Sequence, residues 1–343
     1  FASDFLQQDG ESTFGLDFVP GVVIPLLLVW IGVIAILAFG VQKGIGSVTK
    51  YFVPLLIVLF AILVVRALFL DGAGQGLDAF FTPNWSALTD SGVWIAAYGQ
   101  IFFSLSVAFG IMITYSSYLG RRTNLTGSGL VVAFSNSSFE ILAGIGVFAV
   151  LGYMAQATGV PVAEVVESGI GLAFIAFPAI ISAMPGGPVF GVAFFGALVF
   201  AGFTSLISIV QVVVAAVQEK SGLSRGAAVL TVGGSAAVLS LLLFPTATGL
   251  NVLDIVDNFA NNIGIVGVAL VALVTVGLIL RRLTDLQEHL NQVSSFKVGI
   301  AWRVFVGVIT PVVLAYMLID QIVQRIGDGY GGLPTGLVVT FGW

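Results

Sequence analysis

Cysteine is absent from these 343 residues, histidine occurs once, and charged residues make up only 8% of the chain. Without cysteine there are no disulfides and no thiolate ligands, and the redox compartment leaves no trace. The single histidine, His289, sits among Arg282, Asp285 and Glu288 and reads as a solvated residue, so histidine catalysis and histidine metal sites are not expected. No zinc-protease pattern, no phosphate-loop pattern and no nucleophile–base pair is visible, so an enzyme is not expected. A net charge of −5 does not suggest nucleic acid as a partner. Soluble domains carry about 25% charged residues, which excludes an ordinary soluble protein.

What is there is apolar. The chain is 58% hydrophobic with a mean hydropathy of +1.11, and the apolar runs continue to its far end. About 20 apolar residues cross a bilayer. Runs near 19–41, 51–70, 93–118, 127–155, 189–217, 227–244, 253–280 and 300–323 give about eight expected transmembrane helices in one domain, 19–343. The stretch 161–185 is broken by Gly169, Gly171, Pro178 and Pro185, and is expected to form an extracellular re-entrant hairpin of short helices. Residues 1–18 are polar and acidic and are expected to be an extracellular loop. Because the chain opens on Phe1, it reads as lacking its first helices.

Loop charge sets the expected orientation. Lys43, Lys50, Arg121, Arg122, Lys220, Arg225, Arg281, Arg282, Lys297 and Arg303 fall in or beside alternate loops, leaving only Arg66 and Arg325 on the other side. Basic loops stay cytoplasmic, so this is expected to be a multi-pass cell-membrane protein with Phe1 outside.

The span 93–118 has an unusual centre. Gln100, Ser104 and Ser106 lie in its middle, with Gly99 and Gly110 nearby. Irregular backbone at membrane depth is tolerated where it lines a cavity, and broken helices point to a transporter's binding site. Gln100 and Ser104 are four apart, as are Asn136 and Glu140 in the next span, so each pair shares a helix face. Glu140 is the only acidic residue at mid-membrane depth, where a carboxylate costs roughly 2.5–3.5 kcal/mol. It is either a structural carboxylate satisfied by neighbours, or a fixed or titrating charge beside a cation site. Hard cations take oxygen ligands, and Ser104 and Asn136 can supply them.

Ala201, Gly202, Phe203, Thr204 and Ser205 open a second polar notch, followed by Ser208 and Gln211. Such residues serve helix packing or form half of an alkali-ion site. Phe103, Phe109 and Ile209 fit core or pocket equally by periodicity. Asp257, before Asn258 and Phe259, is either a helix-start carboxylate favoured by the dipole or half of an ion-pair gate.

In this order the residues resemble the neurotransmitter:sodium symporter family, and within it the prokaryotic amino-acid transporters of the bacterial leucine-transporter type. The resemblance rests on Gly92 to Ser106, Asn136 to Glu140, Ala201 to Gln211, Leu253 to Phe259, and the Gly44–Pro54 pair. It covers essentially the whole chain and makes the visible spans family helices four to eleven, with helices one to three missing and the tail after Gly327 leading towards a twelfth.

The resemblance implies an all-α inverted-repeat bundle with a broken helix at 93–118, and two sodium sites in the intact protein without an organic cofactor. Ser104 and Asn136 would ligate the first sodium; the Ala201 carbonyl, Thr204 and Ser205 would ligate the second. Phe103, Ser104, Ser106, Phe109, Ser205 and Ile209 would line a pocket for a small hydrophobic amino acid. Gln100 and Glu140 would stand among the gating and charge residues, with the negative charge of Glu140 replacing chloride. Asp257 would belong to the outer gate, its arginine partner in the missing first helix, and Glu219, Ser117 and Tyr118 to the inner gate. The implied function is sodium-coupled amino-acid symport by alternating access, in a lipid bilayer. The alternatives are a proton-coupled transporter of the same fold and a non-transporting amino-acid-binding membrane protein. Homo-oligomerisation stays open, because lipid-facing and partner-facing surfaces are equally apolar.

Overall fold

A computed structural model of the chain describes residues 15, 17–40, 46–165, 178, 181 and 186–343. Gly44 and most of the expected hairpin at 161–185 lie outside the described residues. Among the described residues the chain is helical, with no strand and one isolated bridge between Phe18 and Thr246.

The helices are α1 (Pro20–Ala38), α2 (Gly46–Leu68), α3 (Ala73–Phe81), α4 (Ser91–Ser104), α5 (Ile111–Ser117), α6 (Leu125–Thr158) and α7 (Val162–Val165). They continue as α8 (Gly187–Ser221), α9 (Arg225–Leu243), α10 (Gly249–Phe259), α11 (Val266–Val274), α12 (Leu283–Val293), α13 (Ile300–Val304), α14 (Thr310–Asp328) and α15 (Thr335–Gly342). Seven continuous helices among the described residues are long and apolar enough to span a bilayer. The expected span at 93–118 is present in two pieces, α4 and α5, each too short to cross alone. Only 11–33% of each continuous span's apolar stretch is buried within the protein. Apolar surface on that scale is costly in water and suits a hydrocarbon solvent.

The chain forms two compact units. The first holds Gly32–Thr89 and Phe134–Val210. There Ala67, Ala73, Ala149 and Val150 bury each other where α2, α3 and α6 meet. Gly76 makes that approach possible, since a Cβ on it would run into the carbonyl of Phe148. Aromatic pairs join the longer helices, with Phe52 and Phe200 rings 4.5 Å apart and Phe60 and Phe139 rings 5.3 Å apart.

The second unit holds Ala2–Ile31, Asp90–Ala133 and Gln211–Trp343. Val266, Ala269, Leu314 and Met317 form its larger cluster and pack α11 against α14. Ile95, Phe102 and Ala108 of the broken helix lean on the same cluster. A second cluster joins Ile255 and Phe259 of α10 to Leu337 and Val338 of α15, so a helix does follow the glycine-rich turn after Gly327. The chain entering α1 is clamped to the link between α9 and α10 by Val19 N–H donating to Pro245 O at 2.8 Å and Ala247 N–H donating to Asp17 O at 3.0 Å.

Two long helices in this unit are not uniform. One-turn π segments at Ala260–Ile265, Thr275–Ile279 and Phe305–Ile309 interrupt them. A π turn inserts one residue and shifts the register of side chains beyond it, and such turns gather at functional positions.

Candidate functional site

The break between α4 and α5 is the most specific local structure in the second unit. Asp90 caps α4, its side chain accepting from Gly92 N–H at 2.8 Å. Helical bonding then fails after Ser104. Leu105 N–H reaches Ile101 O, Ser106 N–H reaches Phe103 O and Val107 N–H reaches Phe102 O, so successive bonds span four, three and five residues. Ser106 and Ala108 adopt φ of 51° and 65°. A left-handed residue with a Cβ costs roughly 1–2 kcal/mol, and here tertiary packing of Ala108 opposes that cost. Gly110, at φ 77°, starts α5, and a Cβ there would lie 2.8 Å from Val212 Cγ1.

The break faces a cavity of about 560 Å³. Gln100, Phe103 and Phe109 line it from the broken helix, and Asp257 lines it from α10. The rings of Phe103 and Phe109 meet edge to face, 6.1 Å apart. Asp257 Oδ1 accepts from Asn261 Nδ2 at 2.8 Å, which ties the carboxylate to the first π turn. Because α10 begins at Gly249, Asp257 lies two turns inside it and is not the helix-start carboxylate that a span beginning at Leu253 implied. The facing wall carries Asp320, Gln321 and Gln324 of α14, and Asp320 Oδ2 accepts from Gln324 Nε2 at 2.8 Å.

In the first unit, α8 carries the second polar notch. Thr204 Oγ1 donates to the carbonyls of Phe200 and Ala201, both at 3.0 Å. The Ala201 carbonyl and Thr204 hydroxyl are thus adjacent hard oxygens, a donor set suited to an alkali cation once the hydroxyl turns its lone pairs outward. Ser208 Oγ donates in turn to Thr204 O at 3.0 Å. Ser205 and Ile209 lie on an exposed face of the same helix. Asn136 and Glu140 are half-buried one turn apart on α6. Ser104 belongs to the second unit, at the end of α4, where its hydroxyl reaches Ile101 O at 3.4 Å.

A relay centred on a buried amide supports the far half of the broken helix. Gln211 is wholly buried; its Nε2 donates to Tyr118 Oη at 3.0 Å, and its Oε1 accepts from Arg225 Nη2 at 2.9 Å. Ser117, beside it, donates to Thr114 O at 2.7 Å. Glu219 is exposed near the end of α8.

At the rim of the cavity-bearing unit, Tyr330 Oη donates to Asp254 Oδ2 at 2.8 Å, and the Arg325 guanidinium covers the Tyr330 ring at 4.8 Å. Burial, then the hydrogen bond and charge of Asp254, push the Tyr330 phenol above its ordinary range, while Arg325 pulls it down.

Comparison with known proteins decides the family, for residues 3–343 match the Sodium:neurotransmitter symporter family. The chain belongs to that family. An uncharacterized sodium-dependent transporter of Methanocaldococcus jannaschii is 39% identical over 320 residues, covering 93% of this chain and 65% of the relative. The sodium- and chloride-dependent glycine transporter 2 of Xenopus laevis is 33% identical, covering 85% of the chain and 37% of that protein. The human sodium- and chloride-dependent neutral and basic amino acid transporter B(0+) is 31% identical, covering 93% and 51%. The chain therefore spans between about a third and two thirds of these relatives' lengths. The relatives' names are those of transporters, not enzymes, and the chain is a multi-pass membrane member of the symporter family.

Several residues of this symporter-family chain carry structure that their sequence context only hinted at. Gln211 lies seven residues beyond Thr204, on the same helix face, and an amide in so apolar a helix needs a partner. Arg225 opens α9, where the helix dipole disfavours a cation; its bond to Gln211 accounts for the placement. Asp320 and Gln324 form a polar pair at helical spacing that straddles the end of the apolar run 300–323, because the helix continues to Asp328.

Proposed function

We propose that the full-length protein moves a small, hydrophobic amino acid across the cell membrane together with sodium, by alternating access and without chloride. The observation that carries this reading is the break at Leu105–Gly110. Backbone turned left-handed at Ser106 and Ala108 departs from the regular helical ladder beside the cavity-lining Phe103 and Phe109, so an irregular polar backbone adjoins an apolar wall. A zwitterionic amino acid with an apolar side chain needs that combination.

In this reading Ser104 and Asn136 contribute oxygens to one sodium position, and Ala201, Thr204 and Ser205 contribute to another. Ser106, Ser205 and Ile209 complete the pocket begun by Phe103 and Phe109. Sodium is cargo that drives the cycle. With two ions per amino acid, a 100 mV potential supplies about 4.6 kcal/mol, and a tenfold gradient about 1.4 kcal/mol more per ion. Accumulation of roughly 10⁵-fold is then within reach.

Glu140 takes the place of a chloride ion by keeping a negative charge near the first sodium position. Asp257 belongs to the outer gate, and Tyr118, Ser117 and Glu219 to the inner one. The same carboxylate motivates the second reading, proton coupling, since Glu140 is the acidic residue placed at mid-span in α6.

Proteoliposomes holding the full-length protein separate the two. Amino-acid uptake should follow an imposed sodium gradient in chloride-free buffer, and Glu140→Ser should create a chloride requirement. Uptake that ignores sodium and follows a proton gradient selects the second reading. Saturable binding with no accumulation under either gradient removes both.

A further inference from the structure

We propose that Tyr330 is a positioning residue that latches together the two helices forming the walls of the outer cavity. The proposal rests on the transport reading above only for the role of Asp257 as a gate.

The latch has three bonded parts. The Tyr330 hydroxyl donates to Asp254 on α10 at 2.8 Å, one helical turn before the cavity-lining Asp257. The Arg325 guanidinium, on the last turn of α14, lies over the face of the same ring at 4.8 Å. The edge of the ring meets Phe259 at 6.0 Å, within the cluster that seats α15 on α10. One side chain therefore touches both helices: α10 carries Asp257, and α14 carries Asp320, Gln321 and Gln324.

The connecting turn suits this arrangement. Gly329, Gly331 and Gly332 all have left-handed φ, of 72°, 58° and 66°. Glycine adopts that backbone without a Cβ penalty, so the turn folds back sharply from α14 and delivers Tyr330 onto α10. Its conformational freedom also lets the turn leave without tearing a helix. A charge-assisted hydrogen bond and a cation–π contact at an accessible rim are strong enough to hold one cavity width and weak enough to release.

The arrangement differs from ordinary rim packing in what it couples. Separating α10 from α14 strips Tyr330 from either Asp254 or Arg325. Fluctuation of the cavity mouth is thereby tied to one phenol, and losing the hydroxyl should widen access without removing any cavity-lining group.

Accessibility of a cysteine placed in the cavity tests this in the full-length protein. The 343 residues contain no cysteine, so Gln321→Cys adds a thiol that is unique within them. Its rate of modification by a small charged maleimide is measured alone and combined with Tyr330→Phe, Arg325→Gln, Asp254→Asn or Asp254→Leu. Tyr330→Phe keeps the ring and its packing, and should raise the rate about tenfold, the factor a lost hydrogen bond of roughly that strength carries. Arg325→Gln and Asp254→Leu should raise it as well. Asp254→Asn retains an acceptor oxygen without the charge and should fall between the parent and Asp254→Leu, a partial rescue that loss of packing would not give. Equal rates for the parent, Tyr330→Phe and Asp254→Leu overturn the latch, as does Asp254→Asn behaving like Asp254→Leu. Labelling needs neither sodium nor substrate, so a failure of the transport reading leaves its result unaffected.

Discussion

Gln211 Nε2 donates to the hydroxyl of Tyr118 at 3.0 Å, and the other end of the same amide accepts from Arg225 at 2.9 Å. Gln211 is fully buried, so its amide has no water to replace either bond. Gln211→Leu keeps most of the volume but removes both bonds, and should destabilise the full-length protein by about 1–3 kcal/mol. Tyr118→Phe removes one neutral bond and should cost only about 0.6–1.7 kcal/mol. Thermal unfolding in detergent reads the difference. Equal losses would show that the contact with Arg225 contributes nothing.

The backbone of the break makes an asymmetric prediction. Gly110→Ala forces a Cβ into a left-handed residue and against Val212, and should cost more than about 1 kcal/mol. Ala108→Gly relieves a left-handed alanine and should be neutral or stabilising by up to about 1 kcal/mol. Stability measured on both variants checks the pair; a stabilised Gly110→Ala would mean that the break is not left-handed there.

Thr204 gives a test of the ion position proposed on α8. Thr204→Val preserves shape and removes the hydroxyl that lies 3.0 Å from the Ala201 carbonyl. If the hydroxyl is one of the proposed oxygen ligands, its loss should weaken sodium affinity by about tenfold or more, a change of at least about 1.4 kcal/mol. Sodium titration of amino-acid binding measures it. An unchanged affinity would return the hydroxyl to helix back-bonding alone.

Tyr330 gives a pH dependence of known sign. Burial and Asp254, with a smaller effect from Asp257, raise the phenol above its unfolded value near 10, against Arg325, which lowers it. The folded state therefore favours the protonated phenol. Its contribution is complete below about pH 10 and is lost only as pH rises through the higher folded value. The difference in thermal midpoint between the parent and Tyr330→Phe should stay constant from neutral pH to about 10 and shrink above it. A difference that shrinks below pH 9 would contradict the raised phenol.

Much of this architecture is visible in the residues themselves. Gln100, Ser104, Ser106 and Gly110 interrupt an apolar run, and the helix breaks between the last two serines' neighbours and that glycine, at Leu105–Gly110. Other features have no local signature. Alanine has no preference for left-handed backbone, so Ala108 becomes exceptional only through its packing on the Val266–Met317 cluster. The π turns lie in runs such as Thr275–Ile279, whose composition suits an α-helix equally well. The start of α10 at Gly249 was hidden because Thr246–Gly249 is not apolar, although Thr246 and Thr248 are buried by tertiary contacts. The relay at Gln211 joins residues 93 positions apart, a pairing that periodicity along one helix cannot reveal.

The most direct test of sodium-coupled symport is simultaneous measurement of labelled sodium and labelled amino-acid entry into proteoliposomes containing the full-length protein. The account predicts uphill amino-acid accumulation with about two sodium ions entering per amino acid, abolished when the sodium gradient is collapsed. Accumulation that persists without sodium, or amino-acid entry with no accompanying sodium flux, would contradict it.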